Sequence, residues 1–251
     1  MTKMIRTVAW TDQPNLGDRF TDLWLTKQGY DHTVTDKLAE GNFIGVGSLL
    51  EQCQGHDLTI WGTGRATDPR KTGLVDLTKG TVLALRGPLS AMGAYGARSA
   101  VNSRKGFVMG DPGLLAADLL DDVPPRDRSH VYPVTYVPHW TEYERVVAEK
   151  GEDATVNLLG DPIEALQRIR EATYVVSSSL HGLIFADAFG VERVWDYQEK
   201  AVGDPFKFRD YASLVGKFEP GDSVKVADSI IRDITSGLRE VFDLWAMNHA
   251  S

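Results

Sequence analysis

The sequence predicts an α/β protein: two small parallel-sheet domains with a cleft between them, and a long C-terminal helix that packs back across the first. Three observations lead there. Short β-branched runs alternate with stretches whose apolar residues recur at helical spacing. Most of those runs end in a glycine-bearing turn that opens directly into a helix. A charged segment with two prolines, DDVPPRDRS at 121–129, interrupts the alternation and reads as a linker. The expected division is therefore 1–122, 123–222 and a closing helix over 223–251.

The elements follow in order. RTVAW (6–10) is a first strand, TDQPNLGD the loop after it, and DRFTDLWLTKQG a helix ending at Gly29. NFIGVGSLL and LTIWGTG are further strands ending in glycine. TVLALRGPLSAMGAYG is a strand, a tight Arg-Gly-Pro turn and a helix, with Pro88 suited to a first helical turn. KGFVMGDPGLLAADLL repeats that plan around a Gly-Asp-Pro turn. Past the linker, HVYPVTYVPHW leads into the helix TEYERVVAEKG, and ATVNLLG is a strand. DPIEALQRIREA is a helix with Asp161 as N-cap and Pro162 at its first position. TYVVSSS, LHGLIFADAFG and VERVWDY are strand, helix and strand, and FKFRDYASLVG is a short helix. The closing helix carries Val226, Ile230, Ile234, Leu238, Phe242 and Trp245 at helical spacing.

Composition narrows the function. The 251 residues carry 27 basic and 35 acidic side chains, a net charge of −8, so the basic footprint of a duplex nucleic-acid binder is missing. The single cysteine, Cys53, rules out an intrachain disulfide framework and a cysteine-built zinc site, which fits a reducing cytoplasm. No signal core and no run long enough to cross a bilayer stands in the sequence, so a lipid-carried substrate would be met at the membrane surface.

The chemistry-bearing residues sit in the turns at the carboxyl ends of strands, where parallel sheets bind ligands. In NLGD, Gly17 allows close approach to a ligand and Asp18 can hold a hydroxyl or act as a base, with Asn15 beside them. A plain helix cap is the commoner use of those residues. WGTGR offers Gly62, Gly64 and Arg65 as an anion cradle or as an ordinary glycine turn. Arg86 in RGPLS can fork onto a carboxylate or phosphate, or pair with an acidic neighbour. Asp111 in GDPGLL reads first as a helix cap, and His139 in VPHW as a structural histidine at the cleft. In SSSLHGLIFADAFG, Ser177, Ser178 and Ser179 end a strand, and His181 lies in the first helical turn. The positive end of the helix dipole disfavours imidazolium, and an anionic ligand would restore it. A capped, buried helix with an incidental histidine is the alternative.

SSSLHGLIFADAFGV resembles the signature of the polysaccharide pyruvyltransferase family, whose helix begins around Leu-His-Gly and continues through Ala-Asp-Ala. NLGD, WGTG, RGPLS, GDPGLL and VPH occur in that family's order, and FKFRDYASLVG is similar to a Lys-x-x-Asp-aromatic segment of its exopolysaccharide (succinoglycan-type) branch. The resemblance runs from about residue 8 to about residue 216. It implies a fold like GT-B glycosyltransferases, two Rossmann-like domains with the acceptor on the first and the donor on the second. It also implies phosphoenolpyruvate as co-substrate and a saccharide diol as acceptor, free or lipid-linked. The sequence holds no metal-ligand cluster, so no metal or cofactor is expected. His181 then leads as proton donor or phosphate ligand, Arg86 binds the donor, and Asp18 orients or deprotonates a hydroxyl. Ser177 to Ser179, Lys207, Arg209 and Asp210 complete the pocket. Two departures stand: Ser179 occupies a place where many members carry arginine, and the chain is short for the family.

Two other readings share this architecture. A glycosyltransferase using a nucleotide sugar would need a base-stacking platform, for which Tyr136, Trp140 and Trp195 are candidates. A non-catalytic saccharide-binding relative would show no turnover. Donor binding separates the three, and Arg86→Ala is expected to weaken it with the fold intact.

Overall fold

The computed structural model of the chain describes residues 4–96, 98–99, 108–125 and 133–249. Parts of the expected segments KGFVMG, DDVPPRDRS and HVYPVTYVPHW lie outside the described residues. The first half contains β1 (Ile5–Val8), α1 (Leu16–Lys27), β2 (His32–Thr35), β3 (Phe43–Ile44), β4 (Thr59–Trp61), α2 (Pro69–Thr72), β5 (Val75–Asp76), β6 (Thr81–Leu85), α3 (Pro88–Met92), β7 (Ala94–Tyr95), β8 (Arg98–Ser99), β9 (Val108–Met109) and a 3-10 helix, Pro112–Leu120. The second contains β10 (Thr135–Val137), α4 (Tyr143–Lys150), α5 (Pro162–Glu171), β11 (Tyr174–Ser177), α6 (Leu180–Ala188), β12 (Glu192–Trp195), α7 (Glu199–Val202), α8 (Phe206–Val215), β13 (Ser223–Val224) and α9 (Asp228–His249).

The large sheet runs β2-β1-β3-β4-β6-β8, with β9 also on β6, and every pairing in it is parallel. The chain builds outward from β1 to one side and returns to build β3, β4 and β6 on the other. This reversal creates a crevice at the carboxyl ends of β1 and β3, the general ligand position of such sheets. The second sheet runs β10-β11-β12-β13, parallel except for the last, antiparallel pair. Short β5 and β7 pair separately.

Local chemistry explains the boundaries. Asn15 Oδ1 accepts from Gly17 N–H at 2.9 Å to start α1, and Asp161 Oδ1 accepts from Glu164 N–H at 2.8 Å to start α5. Pro88 and Pro162 stand in the first turns of α3 and α5, where a missing N–H costs nothing. Helix α6 is apolar nearly all round, from Leu180 through Ala186, and such a helix must be enclosed. It packs between the 3-10 helix, α5, β11 and β12.

One core runs through both sheets. It joins Phe20 and Trp24 of α1, Leu115 of the 3-10 helix, Leu183 and Phe185 of α6, and Phe242 of α9. A smaller cluster around Ile44, Leu50, Ile60 and Val82 covers the other face of the first sheet. The two sheets thus fall on either side of residue 122 but share a core. As expected, α9 returns to the first sheet: Trp61 Nε1 donates to the Leu238 carbonyl at 3.0 Å, and Phe242 meets Trp24, Phe43 and Trp61 with ring centroids 5.0, 5.9 and 4.8 Å apart. Each such aromatic pair adds about 0.5–1.5 kcal/mol beyond its buried area.

Three elements differ from expectation. ATVNLLG forms no strand; a single bridge, Tyr136 to Thr155, is what pairs there. Strand β2 carries no apolar signal in the sequence because it lies at the sheet edge with both faces partly exposed. Of the six spaced apolar residues, Val226 precedes α9 and Ile230 is exposed, while Ile234, Leu238, Phe242 and Trp245 are buried.

Candidate active site

Helix α6 opens at Ser179, whose side chain makes no capping bond, so the first N–H groups of the helix face outward from the β11 end. His181 sits in that first turn, stacked on Phe185 with centroids 5.7 Å apart. Gly17 of α1 lies against the imidazole. A Cβ built on Gly17 would fall inside the van der Waals shell of His181 Nδ1, so glycine there is what lets the two helix starts meet. Asp111, from the turn after β9, places Oδ1 3.9 Å from His181 Nε2 while accepting from Gly113 N–H at 2.9 Å. Both His181 Nε2 and Asp111 Oδ2 are buried without a hydrogen-bond partner among the described residues. Unsatisfied buried polar atoms are rare in folded proteins, and each calls for a partner or a role.

The electrostatics draw in two more groups. Burial pushes Asp18 up to about 6, and the Lys207 ammonium pulls it partly back. Burial also pushes Asp111 up to about 6; the Gly113 N–H and Arg86 oppose the rise, while the charges of Asp210 and Asp18 add to it. His181 is held down to about 3 by burial and then by the charges of Lys207 and Arg86. Lys207 itself falls to about 8, through burial and Arg86, with Asp18 opposing. His139 falls to about 4, through burial and Lys207. A neutral imidazole, two carboxyls poised near 6 and a softened ammonium, brought together from α1, the turn after β9, α6 and α8, form an acid–base cluster of the kind enzymes tune by burial and neighbouring charge.

The other expected site residues take different places. Arg86 does not face a ligand. Its guanidinium is fully buried, and Nε donates to Asp210 Oδ2 at 2.9 Å, Nη1 to Ser48 Oγ at 2.8 Å, and Nη2 to the Arg65 carbonyl. Asp210 is equally committed, accepting from Ser90 N–H at 2.8 Å and Ser90 Oγ–H at 2.6 Å. The pair is therefore a buried lock between β6 and α8 that sends its field into the site, and Arg86→Ala will not leave the fold intact as the sequence suggested. Arg65 is buried too and donates to the carbonyls of Thr67 and Gly93 and to Thr72 Oγ1, so it forms no anion cradle. Gly62 is packed against Pro112 and Gly110, and Gly64 against the Arg86 guanidinium; both serve contact between turns.

Ser177 Oγ accepts from Ser179 N–H at 3.0 Å and lies 2.6 Å from the Val137 carbonyl, and Ser178 Oγ accepts from His139 N–H at 2.8 Å. Of the three serines, Ser179 alone keeps an uncommitted hydroxyl among the described residues. Arg209 is exposed, because two residues along a helix turn it about 200° from Lys207. Trp195 is fully buried and stacked on Phe208 at 4.7 Å, which removes it as a base platform. Sequence reasoning missed Ser48 and Ser90, the hydroxyls that hold Arg86 and Asp210; the signal available for Ser48 was the Gly-Ser step after β3.

Residues 77–195 match the family model described as polysaccharide pyruvyl transferase. The likeness covers just under half of the chain. The matched span holds Arg86, Asp111, His139 and His181, while Asp18, Lys207 and Asp210 lie outside it. The chain is 27% identical over 220 residues to the succinoglycan biosynthesis protein ExoV of Rhizobium meliloti (strain 1021), covering 82% of this chain and 64% of that protein. It is 28% identical over 119 residues to the uncharacterized protein L143 of Acanthamoeba polyphaga mimivirus, covering 44% of this chain and 40% of that one. The chain thus spans less than two thirds of either relative. No solved structure matches it. Within the matched span, Asp187 forms a buried two-point ion pair with Arg193 (2.9 and 3.1 Å) and accepts from Tyr211 Oη–H at 2.8 Å.

The contact between Gly17 and the imidazole can be tested directly. Gly17→Ala should displace His181 and lower turnover at least tenfold, while the extra helix propensity of alanine, up to about 1 kcal/mol, offsets part of the packing loss. Melting temperature and turnover measured on one preparation separate the two effects. Wild-type turnover in the variant would show that the helix starts do not need this contact.

Proposed function

We propose that the protein transfers a pyruvyl group from phosphoenolpyruvate to two hydroxyls of a saccharide, forming a pyruvate ketal and releasing phosphate. The observation that carries this reading is His181 at the open start of α6, set against Asp18, Asp111 and Lys207. The name of the matching family model supplies the reaction class, and the name of the succinoglycan relative supports a saccharide acceptor. The donor is a small polyanion. The α6 N-terminus, Ser179 Oγ and Lys207 supply positive potential for it from the β11 side.

The chemistry then balances as follows. His181, protonated when the anion arrives, delivers a proton to the donor's methylene carbon, and C2 becomes oxocarbenium-like. A saccharide hydroxyl attacks C2 as its proton passes to Asp18. The C2–O bond to phosphate breaks, and the second hydroxyl closes the ketal. Overall, one hydroxyl proton ends on the new methyl group and the other leaves with phosphate. Asp111 faces His181 and steadies its charged form. In the GT-B-like arrangement we propose, the first sheet serves the acceptor and the second the donor. No step calls on a metal or cofactor, and the described residues contain no group of three or more His, Cys, Asp or Glu that could hold a metal ion. No described helix is long and apolar enough to cross a membrane. The reading places the protein in the cytoplasm, at the membrane surface where the acceptor is lipid-linked.

Ligand-induced thermal shift tests the donor. A ligand that binds only the folded state adds about 2.7 kcal/mol at 100 times its Kd. Phosphoenolpyruvate should stabilise the wild type and lose that effect in His181→Ala. Stabilisation by UDP- or GDP-sugars alone would make the protein a glycosyltransferase, and the absence of turnover with any saccharide would favour a binding relative.

The same cluster sets a pH profile. Asp18 must be ionised to accept a proton, so kcat/KM should rise as pH passes about 6, on a limb that belongs to the Asp18–Asp111 pair jointly. Lys207 must be charged to hold the donor, and His181, neutral in the free protein, must take up a proton as the donor binds, so kcat/KM should fall toward alkaline pH, at the latest as pH passes about 8. Asp18→Asn should lower the rate and remove or shift the acid limb; an acid limb unchanged in that variant would take Asp18 out of the proton path.

A further inference from the structure

Outside the acid–base cluster, two tryptophans from opposite halves of the chain meet at its edge. Trp10 lies two residues beyond the carboxyl end of β1, in the loop that runs into Asn15 and Asp18. Trp140 follows His139 just beyond the carboxyl end of β10. Their ring centroids are 6.3 Å apart with planes tilted by 45°, and His139 lies 5.7 Å from Trp140 at 36°. Trp10 is exposed at 37% and Trp140 is half-buried, so neither belongs to the core. The arrangement is held. Trp10 Nε1 donates to Asp12 Oδ2 at 3.0 Å, and the loop is pinned to the second half where Leu16 N–H donates to the Leu158 carbonyl at 2.7 Å. Thr141 Oγ1 sits 2.8 Å from His139 Nδ1, and Nε2 makes no hydrogen bond among the described residues. Trp140 thus touches a histidine that shares the field of Lys207 with His181 and Asp18.

We propose that Trp10 and Trp140 form a saccharide platform on which a pyranose ring of the acceptor lies, with Asp12 and His139 at its edge to hold hydroxyls. Naming that ring the acceptor rests on the pyruvyl-transfer reading; sugar binding itself does not. One face of a pyranose presents C–H bonds made electropositive by the ring oxygens, and an indole face is electronegative. At 6.3 Å the two indoles touch one another, so a puckered ring lies across their tilted faces and not between them. A flat nucleobase held between two aromatic faces requires them parallel, which a 45° tilt does not give. The polar groups beside the indoles, a carboxylate and an imidazole, suit neutral hydroxyls, whereas the cationic groups lie deeper, at Lys207 and the α6 N-terminus.

Saturation-transfer-difference NMR tests the platform without turnover. The probes are methyl β-D-glucopyranoside, methyl β-D-galactopyranoside and methyl α-D-mannopyranoside, each with full-length wild type, Trp10→Ala, Trp140→Ala and Trp140→Leu. The leucine variant keeps apolar volume if alanine impairs folding. At least one glycoside should receive saturation at its ring C–H protons, and that signal should fall at least fivefold in the Trp10 and Trp140 variants. Signals from none of the three glycosides, or signals equal in wild type and variants, would overturn the platform. So would a tryptophan-dependent signal from uridine or guanosine nucleotides alone. Phosphoenolpyruvate thermal shift on the same proteins keeps the two ideas apart. Intact donor binding without a tryptophan-dependent sugar signal sinks the platform and spares pyruvyl transfer. A tryptophan-dependent sugar signal without donor binding sinks pyruvyl transfer and leaves a sugar-binding surface.

Discussion

Replacing His181 with alanine is expected to lower turnover by roughly 10²–10⁴-fold, the usual contribution of a positioned proton-transfer group, while the protein stays folded. The ring is partly exposed, with 12% of its side-chain surface open, and its Nε2 bonds to nothing among the described residues, so alanine removes no satisfied interaction of that nitrogen. What is lost structurally is the stack on Phe185 and the contact with Gly17, and alanine is the best helix former for the vacated position. A melting temperature within a few degrees of wild type, together with the rate loss, would locate the effect in the chemistry. A variant that keeps wild-type kcat would remove His181 from the proton path and leave it as a packing residue between two helix starts. Restoring a hydrogen-bonding side chain with His181→Gln should not recover the rate, since an amide cannot deliver the proton.

The Arg86–Asp210 pair should produce the largest loss of stability. Asp210→Ala strands a fully buried guanidinium and orphans the Ser90 N–H, and breaking a buried pair from one side typically costs about 3–5 kcal/mol. For a chain of this size each kilocalorie corresponds to about 2–4 °C of melting temperature, so a fall of roughly 10 °C is expected. Arg86→Ala should fall comparably, because it leaves the Asp210 carboxylate buried and also frees Ser48 and the Arg65 carbonyl. The double substitution should lose less than the two singles added together, since neither charge then remains unpaired. Thermal unfolding of the three variants reads this out directly. A single variant that melts like the wild type would show that the pair contributes nothing to the lock between β6 and α8.

Much of the site's chemistry was legible one turn at a time, because each candidate sat at the end of a strand, where backbone geometry is set by neighbours in sequence. Asn15 and Asp161 cap their helices as read, and Asp111 caps the 3-10 helix at Pro112 by accepting from Gly113 N–H. His181 lies in the first turn of α6 as expected. Those features depend on contacts two to four residues apart, and residue type reports them. A capping aspartate and a site aspartate look alike in sequence; in Asp111 one oxygen caps and the other lies buried and unbonded among the described residues.

The failures share a cause. Arg86 and Arg65 read as anion ligands because arginine after a strand is chemically able to bind one; what each guanidinium meets depends on partners brought near by sheet order, in the case of Asp210 from 124 residues away. Glycines 62 and 64 read as ligand cradles for the same reason, and folding set neighbouring turns against them. The meeting of His181 with Gly17 and of Trp10 with Trp140 is likewise invisible to periodicity, since it joins the starts and strand ends of two separate sheets. Composition, helix and strand spacing and caps therefore determined an α/β chain with reactive residues at its strand ends, because those signals are local. Which of these residues face one another, which are locked in pairs and how far each carboxyl and imidazole is pushed from its ordinary acidity were decided by the packing of the two sheets around one core, because burial and distant charges are properties of the assembled fold alone.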